Sequence, residues 1–150
     1  MLKKDWVRRI KKKSGGESEW RLIERRICEE CKVTHRILPD DQVPYKHYGS
    51  ELIEKVIDDN LSEDEVLENE DYPCDDTKAR WREWGIYLMN NAEGQIRSAV
   101  YRILDYGAEF LFMRDSLLER IKGRIRRGWL SVALKIMVNT GGLGVIPRSP

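Results

Sequence analysis

The stretch that decides the fold is residues 26–48, which read RICEECKVTHRILPDDQVPYKHY. Cys28 and Cys31 stand in a Cys-x-x-Cys arrangement, and short runs that mix apolar and charged residues lie on either side. This spacing lets two thiolates turn towards one point at the tip of a hairpin, as half of a tetrahedral zinc site requires. A second Cys-x-x-Cys does not occur in the sequence. The pair is therefore predicted to be one half of a metal site.

Three short antiparallel strands are predicted around the cysteine pair. Residues 5–13 and 19–28 are rich in Trp, Leu and Ile alternating with charges, and the turn chemistry of SGGES separates them. Residues 33–38 (VTHRIL) are rich in β-branched side chains and end at Pro39. The Cys28–Cys31 turn joins the last two strands. Because so small a sheet is not stable alone, it is expected to need metal or helices packed against it.

Helical patterning begins after a loop broken by Pro39 and Pro44. Ser50 is the predicted N-cap of a first helix, whose apolar residues share one face. Ser62 and Glu65 form the pattern of a capping box at the start of a second, short helix. The residues that form the apolar face of the first helix are Leu52, Ile53, Val56 and Ile57.

A third helix is predicted to open at Asp75 or Asp76, and its apolar stripe recurs every three or four residues. We expect Asn90 and Asn91 to mark a break and the stripe to resume as far as Leu111. Two last helices are predicted at 116–127 and 129–138, on either side of Gly128. The stripe itself consists of Trp81, Trp84, Tyr87, Leu88, Ile96, Val100, Ile103, Leu104, Phe110 and Leu111.

The predicted fold class is α+β, with a small antiparallel sheet at the N-terminus and a mainly helical remainder. Residues 1–48 form a zinc-ribbon-like β unit with its proline loop. Residues 49–139 form a helix-turn-helix-like trio and a helical bundle, and residues 140–150 form a flexible tail. The trio is predicted from spacing alone. Two short helices, a turn holding Pro73 and a helix with Lys78, Arg80 and Arg82 match the spacing of a helix-turn-helix motif.

Composition and charge narrow the class of protein. The chain has 41% hydrophobic and 35% charged residues, and neither a membrane-spanning apolar run nor a secretory leader pattern is found. Three cysteines argue against a disulfide framework, so a cytoplasmic location is expected. The net charge of +1 conceals segregation: residues 1–13 hold seven basic residues against Asp5, and residues 49–77 hold twelve acidic residues against Lys55. Such charged blocks either attract partners of opposite charge or neutralise one another within the fold.

The run CEECKVTHRILPDDQVPYKHY, followed by an apolar helix and DDTKARWREW, resembles a bacterial family of transposon-associated proteins. In that family the N-terminal half is similar to the zinc ribbon and helix-turn-helix of transposases. The resemblance implies DNA handling, with Thr77, Arg80 and Trp81 at the recognition-helix signature. In that family a first Cys-x-x-Cys precedes these motifs, and this sequence lacks it. The resemblance implies either that the start at Met1 is assigned too late or that this member has lost the site. The residues that match the family's second motif are Cys28, Cys31, Thr34, His35, Leu38, Pro39, Pro44 and Tyr45.

Zinc is the predicted cofactor, with Cys28 and Cys31 as ligands. His35, His47 and Cys74 are the other candidates, although Cys74 is expected to be a small core residue. A two-thiolate site is weak unless another chain completes it, so the alternative is a pair of reduced thiols left from a decayed site. A redox role fits less well, because no βαβ context surrounds the pair.

DNA is the predicted partner. Phosphate contacts are expected from the N-terminal basic residues, and base reading from the third helix, whereas Trp81 and Trp84 are expected to be core anchors. The predicted nucleic-acid-binding residues are Lys11, Lys12, Lys13, Arg25, Arg26, Lys78, Arg80 and Arg82.

Catalysis is not expected, since the sequence shows no nucleophile triad, phosphate-binding loop or paired-carboxylate motif. The leading hypothesis is a non-catalytic DNA-binding accessory module of a mobile element. The alternative is an interaction or inhibitor protein of phage or transposon origin that engages a host nucleic-acid enzyme through its acidic face. A truncated product without activity is a third reading.

Overall fold

The structure is a computed structural model, and it describes residues 1–13, 16–62, 64–65, 73–104 and 107–139. The sheet is antiparallel in the order β1-β2-β3, and helices follow it. The predicted α+β class is therefore confirmed. The elements are β1 (Leu2–Lys12), β2 (Ser18–Ile27), β3 (Thr34–Ile37), α1 (Ser50–Ile57), α2 (Asp75–Leu104), a 3-10 helix (Ala108–Phe112), α3 (Leu117–Arg124) and α4 (Trp129–Asn139).

The sheet has an inner and an outer face, because successive side chains of a strand point to opposite sides. Ile23 is buried on the inner face, where Arg9 Nη2 donates hydrogen bonds to the carbonyl oxygens of Val43 (3.1 Å) and Lys46 (2.6 Å). The proline loop thus covers this side. The register of the strands assigns to the outer face Lys3, Trp6, Arg8, Ile10 and Lys12 of β1, Ser18, Trp20, Leu22, Glu24 and Arg26 of β2, and His35 and Ile37 of β3.

The main core lies among the helices. Leu52, Ile53 and Val56 of α1 are buried, as the spacing predicted, and they pack with α2 and α4. Trp81 and Trp84 are buried in the same cluster, so their predicted role as core anchors is confirmed. Burial of large apolar side chains is the main term that stabilises this half of the chain.

The course of α2 differs from the prediction. The helix is continuous through Asn90 and Asn91, because Ala92 and Ile96 continue the buried stripe of Leu88 without interruption. The predicted break there was wrong. The stripe was also expected to reach Leu111, but α2 ends at Leu104 and the Leu111 side chain is 37% exposed in the 3-10 helix.

The helix termini follow the predicted capping chemistry with one shift. The capping box is formed, since Glu65 N donates to Ser62 Oγ (3.3 Å) and Ser62 N donates to Glu65 Oε2 (3.2 Å). Gly128 adopts φ +89° between α3 and α4, a conformation that favours glycine. The N-cap of α1 is Gly49 rather than Ser50, whose hydroxyl instead lies 2.8 Å from that of Ser131.

Two predicted segments lie outside the described residues: the flexible tail at 140–150 and most of the second helix of the trio. The boundary at residues 48 and 49 stays a prediction. Within the part of the chain that the structure describes, no helix combines the length and apolar character needed to cross a membrane.

Candidate functional site

The Cys28–Cys31 turn forms a compact knuckle between β2 and β3. Cys28 N donates to Val33 O (2.9 Å), and Lys32 N donates to Cys28 O (3.0 Å). Lys32 takes φ 58° to complete the turn. The pKa of the Cys28 thiol is lowered, because the backbone N–H groups of Cys31 and Glu30 donate to its sulfur and the Cys31 side chain adds a further hydrogen bond. This arrangement fits two thiolate ligands of a zinc ion.

The other candidate zinc ligands do not join the knuckle. His35 lies on β3 opposite Arg26, and His47 lies in the exposed part of the proline loop. Cys74 is exposed, so its prediction as a core residue was wrong. It precedes the first turn of α2, where its carbonyl accepts from the N–H groups of Thr77 (2.9 Å) and Lys78 (3.0 Å). Among the described residues, no three metal-ligating side chains come together.

Most of the predicted DNA-binding cations are paired with carboxylates inside the molecule. On the inner face, Arg25 bonds to Asp5 and Lys11 bonds to Asp41. Because an ion pair offsets the charge that a phosphate would meet, these residues are weaker candidates than their charge suggests. The other predicted cations in ion pairs are Lys13 with Glu19 (2.5 Å), Arg26 with Glu24 (2.7 Å), Lys78 with Asp75 (3.2 Å) and Arg82 with Asp59 (3.1 Å).

Among the described residues, two of the predicted DNA-binding cations, Lys12 and Arg80, are not in such ion pairs, and the same holds for Lys46. In the described part of the chain, none of the three has an ion-pair partner. Lys12 Nζ lies 5.4 Å from the centroid of the Tyr48 ring, and Lys46 Nζ lies 5.5 Å from that of Trp84. We call Lys12, Lys46 and Arg80 the cation cluster.

The backbone explains why three distant segments meet at the cation cluster. Lys12 N donates to His47 O (2.8 Å), and Gly49 N donates to Lys12 O (2.9 Å), so the end of β1 holds the proline loop. The Tyr48 ring then packs edge-on against Trp81, with centroids 4.8 Å apart, and this contact fixes the loop on α2. Arg80 precedes Trp81 and is exposed.

The ammonium group of Lys46 lies in unfavourable surroundings without a counter-charge. The pKa of Lys46 is lowered, first because burial penalises the ammonium and second because the positive charge of Arg80 lies nearby. Aromatic rings stabilise the ammonium groups only in part. An anion bound here would relieve the repulsion and accept hydrogen bonds from the cluster.

Lys46 was missed from the sequence. The signal was its position inside the PYKHY motif, between the aromatic residues Tyr45 and Tyr48. Its charge alone does not distinguish it from the other Lys and Arg residues of the chain. Only the docking of the loop on α2 gives it a place in the site.

Residues 1–81 match a family described as a domain of unknown function, DUF6431. The chain belongs to the DUF6431 family. The part that matches DUF6431 contains the sheet, the knuckle and all three members of the cation cluster, and it ends in the second turn of α2. No curated protein and no solved structure matches the chain.

Proposed function

We propose that this DUF6431 protein is a non-catalytic DNA-binding module whose cation cluster binds the phosphates of duplex DNA. The observation that carries the proposal is that three segments meet here: Arg80 acts electrostatically on Lys46, and Lys12 contacts the Tyr48 ring that packs on Trp81. None of the three cations has a carboxylate partner among the described residues. Phosphate is the anion that Lys and Arg most often meet at nucleic-acid interfaces.

The exposed side of α2 supplies groups of the kind that read base edges. Arg80 and Arg82 are exposed near its start, and Asn90 and Asn91 are exposed two turns later. Arg reads guanine and Asn reads adenine in the major groove. The first turn carries the exposed Asp75 and Asp76, so the proposed DNA contact begins beyond it. The resemblance to transposase-like helix-turn-helix proteins supports this use of α2.

Two further parts of the proposal rest on that resemblance. The protein acts in the cytoplasm as an accessory or regulatory module of a mobile element. A zinc ion at the knuckle would take Cys28 and Cys31 as two of its four ligands and would stabilise the tip of the sheet. The backbone hydrogen bonds that close the turn around Cys28 and Cys31 support this ligand pair.

The alternative, an interaction protein that uses the acidic stretch at 49–77, has less support. Glu54 is buried and accepts hydrogen bonds from the N–H groups of Gly128 (2.7 Å) and Leu130 (2.9 Å). Asp58 accepts from Trp129 Nε1 (2.7 Å) and pairs with Lys122 (3.0 Å). These two carboxylates hold α1 against the C-terminal helices rather than face a partner.

Fluorescence anisotropy with labelled duplex DNA at low ionic strength tests the proposal. Lys46→Ala and Arg80→Ala are each expected to weaken binding several-fold, because each removes one phosphate contact. Arg120→Ala is the matched control, since Arg120 is exposed and lies on α3 in an ion pair with Asp115. The proposal fails if duplex DNA shows no salt-sensitive binding, or if Lys46→Ala and Arg80→Ala both bind as the unmodified protein does.

A further inference from the structure

The outer face of the sheet exposes an unusual amount of aromatic surface. Trp20 is 68% exposed, Trp6 is 49% exposed, and Leu22 between them is 63% exposed. Tryptophan is highly buried on average in folded proteins, and contiguous exposed apolar surface marks interaction sites. The proline loop packs on the opposite side of the sheet, so it does not cover these rings.

The charge of the outer face defines the partner. Among the strand residues of this face, four cations (Lys3, Arg8, Lys12 and Arg26) stand beside one carboxylate, Glu24, which already pairs with Arg26. Lys3 Nζ lies 4.8 Å from the centroid of the Trp6 ring, so cation and aromatic ring form one surface. A second copy of the chain would bring the same positive charges against each other. A polyanion with flat apolar groups complements both features.

Single-stranded DNA has this chemistry, because its bases present free faces beside a phosphate backbone. In a duplex each base face is already stacked on its neighbour, so exposed tryptophans gain nothing from it. In the strand register Trp6 lies opposite Glu24 and Trp20 lies opposite Ile10. Four residues of β2 separate these positions, which is about 14 Å at the usual rise per residue. The rings therefore form two separate stacking sites, with Arg8 and Leu22 between them.

We infer that the outer face of the sheet binds single-stranded DNA by stacking unpaired bases on Trp6 and Trp20 while Lys3 and Arg8 contact the phosphates. This inference rests on the proposed DNA-binding function and adds a second DNA form to it. Lys12 connects the two surfaces, since it ends the outer face and also belongs to the cation cluster.

The test uses the full chain and three labelled probes: an oligo-dT of about 20 nucleotides, an abasic strand of equal length, and a duplex. Trp20→Ala and Trp6→Ala are each expected to weaken oligo-dT binding by about 5- to 150-fold. Trp20→Phe is expected to keep most of the affinity, because it keeps a ring. Phe112→Ala is the control, since Phe112 is 83% exposed on the 3-10 helix, away from the sheet. Duplex binding is expected to stay unchanged in both Trp→Ala variants.

Three results would overturn the inference. The first is oligo-dT binding that both Trp→Ala variants leave unchanged. The second is equal affinity for the abasic strand, which would leave no role for stacking. The third is a dimer in sedimentation that Trp20→Ala dissociates, because a second copy would then cover the face. If duplex binding depends on Lys46 and Arg80 in the same preparation, only the inference fails and the proposed function stands.

Discussion

At the scale of single residues, backbone donors decide how Cys28 behaves. The N–H groups of Cys31 and Glu30 point at its sulfur, and this lowers the pKa of its thiol. Cys74 has a lowered pKa for a different reason, a hydrogen bond to the Thr77 side chain. A thiolate at the knuckle has a second thiol two residues further on, whereas Cys74 has no cysteine beside it in sequence. The knuckle and Cys74 should therefore differ in their ability to bind metal ions.

Cobalt titration of the reduced protein measures this difference. Cys28→Ser and Cys31→Ser are each expected to abolish the thiolate-to-cobalt charge-transfer band, because both thiolates are needed for the pair. Cys74→Ser is the matched control and should keep the band. A Cys28→Ser protein with an unchanged band would contradict the assignment.

Glu93 is the second residue whose surroundings give a prediction. Its carboxylate accepts from Leu117 N (2.9 Å), Leu118 N (3.0 Å) and Ser116 Oγ (2.9 Å), and it pairs with Arg97 (2.8 Å). Burial by itself would raise the pKa of Glu93, but these donors outweigh burial and lower it. A lowered pKa in the folded state means that the carboxylate contributes stability above the unfolded-chain pKa, about 4.3. That contribution is lost as the pH falls through the lower folded pKa.

Glu93→Gln is expected to reduce the free energy of unfolding by about 1–3 kcal/mol at neutral pH, because the amide loses charge-assisted bonds to the start of α3. The difference from the unmodified protein should shrink below about pH 4. Urea unfolding at the two pH values measures it, and Glu83→Gln, on the exposed side of α2, serves as control. An equal loss at both pH values would show that the charge of Glu93 is not the cause.

At the scale of elements, the contact between α1 and α2 depends on a glycine. A Cβ at Gly85 would lie 3.0 Å from Cγ1 and Cγ2 of Ile57, whereas a Cβ at Gly94 would meet nothing within 4 Å. Both glycines lie inside α2. A Gly→Ala substitution changes helix propensity by the same amount at both positions. Comparing the two variants therefore isolates the packing of α1 on α2.

Gly94→Ala is expected to raise the free energy of unfolding by about 1 kcal/mol, the usual difference in helix propensity. Gly85→Ala should be at least about 1 kcal/mol less favourable than Gly94→Ala, because its new methyl group presses on Ile57. Thermal and urea unfolding of the two variants measure the difference. Equal stabilisation at both positions would mean that α1 does not approach α2 as closely as the structure has it.

The elements themselves were largely predictable. Alternation of apolar and charged residues predicted the three strands, and apolar spacing predicted α1 and α4. The Ser62–Glu65 pattern predicted the capping box that the structure shows. The Asn90–Asn91 break was wrong because burial of Ala92 and Ile96 outweighs the lower helix propensity of two asparagines. Local patterns fail here because the stripe is held by tertiary packing.

At the scale of the whole molecule, the positive charge available to bind DNA depends on which cations lack carboxylate partners. The sequence shows that Lys11 and Arg25 are basic but not that Asp41 and Asp5 face them across the fold. It also cannot show that Lys46 comes to rest beside Arg80, since a loop must first dock on α2. Lys12 and Arg80 were predicted from their charge, and their place in a DNA site stays a prediction. The two outer-face tryptophans were visible in the alternation of β1 and β2, but only as strand residues.

The salt dependence of duplex DNA binding tests the central claim most directly. The slope of log affinity against log salt reports the number of phosphates contacted, at about 0.9 for each. Lys46→Ala and Arg80→Ala are each predicted to reduce the magnitude of the slope by about 1, while Arg120→Ala leaves it unchanged. Identical slopes for all four proteins would contradict the claim that the cation cluster binds DNA.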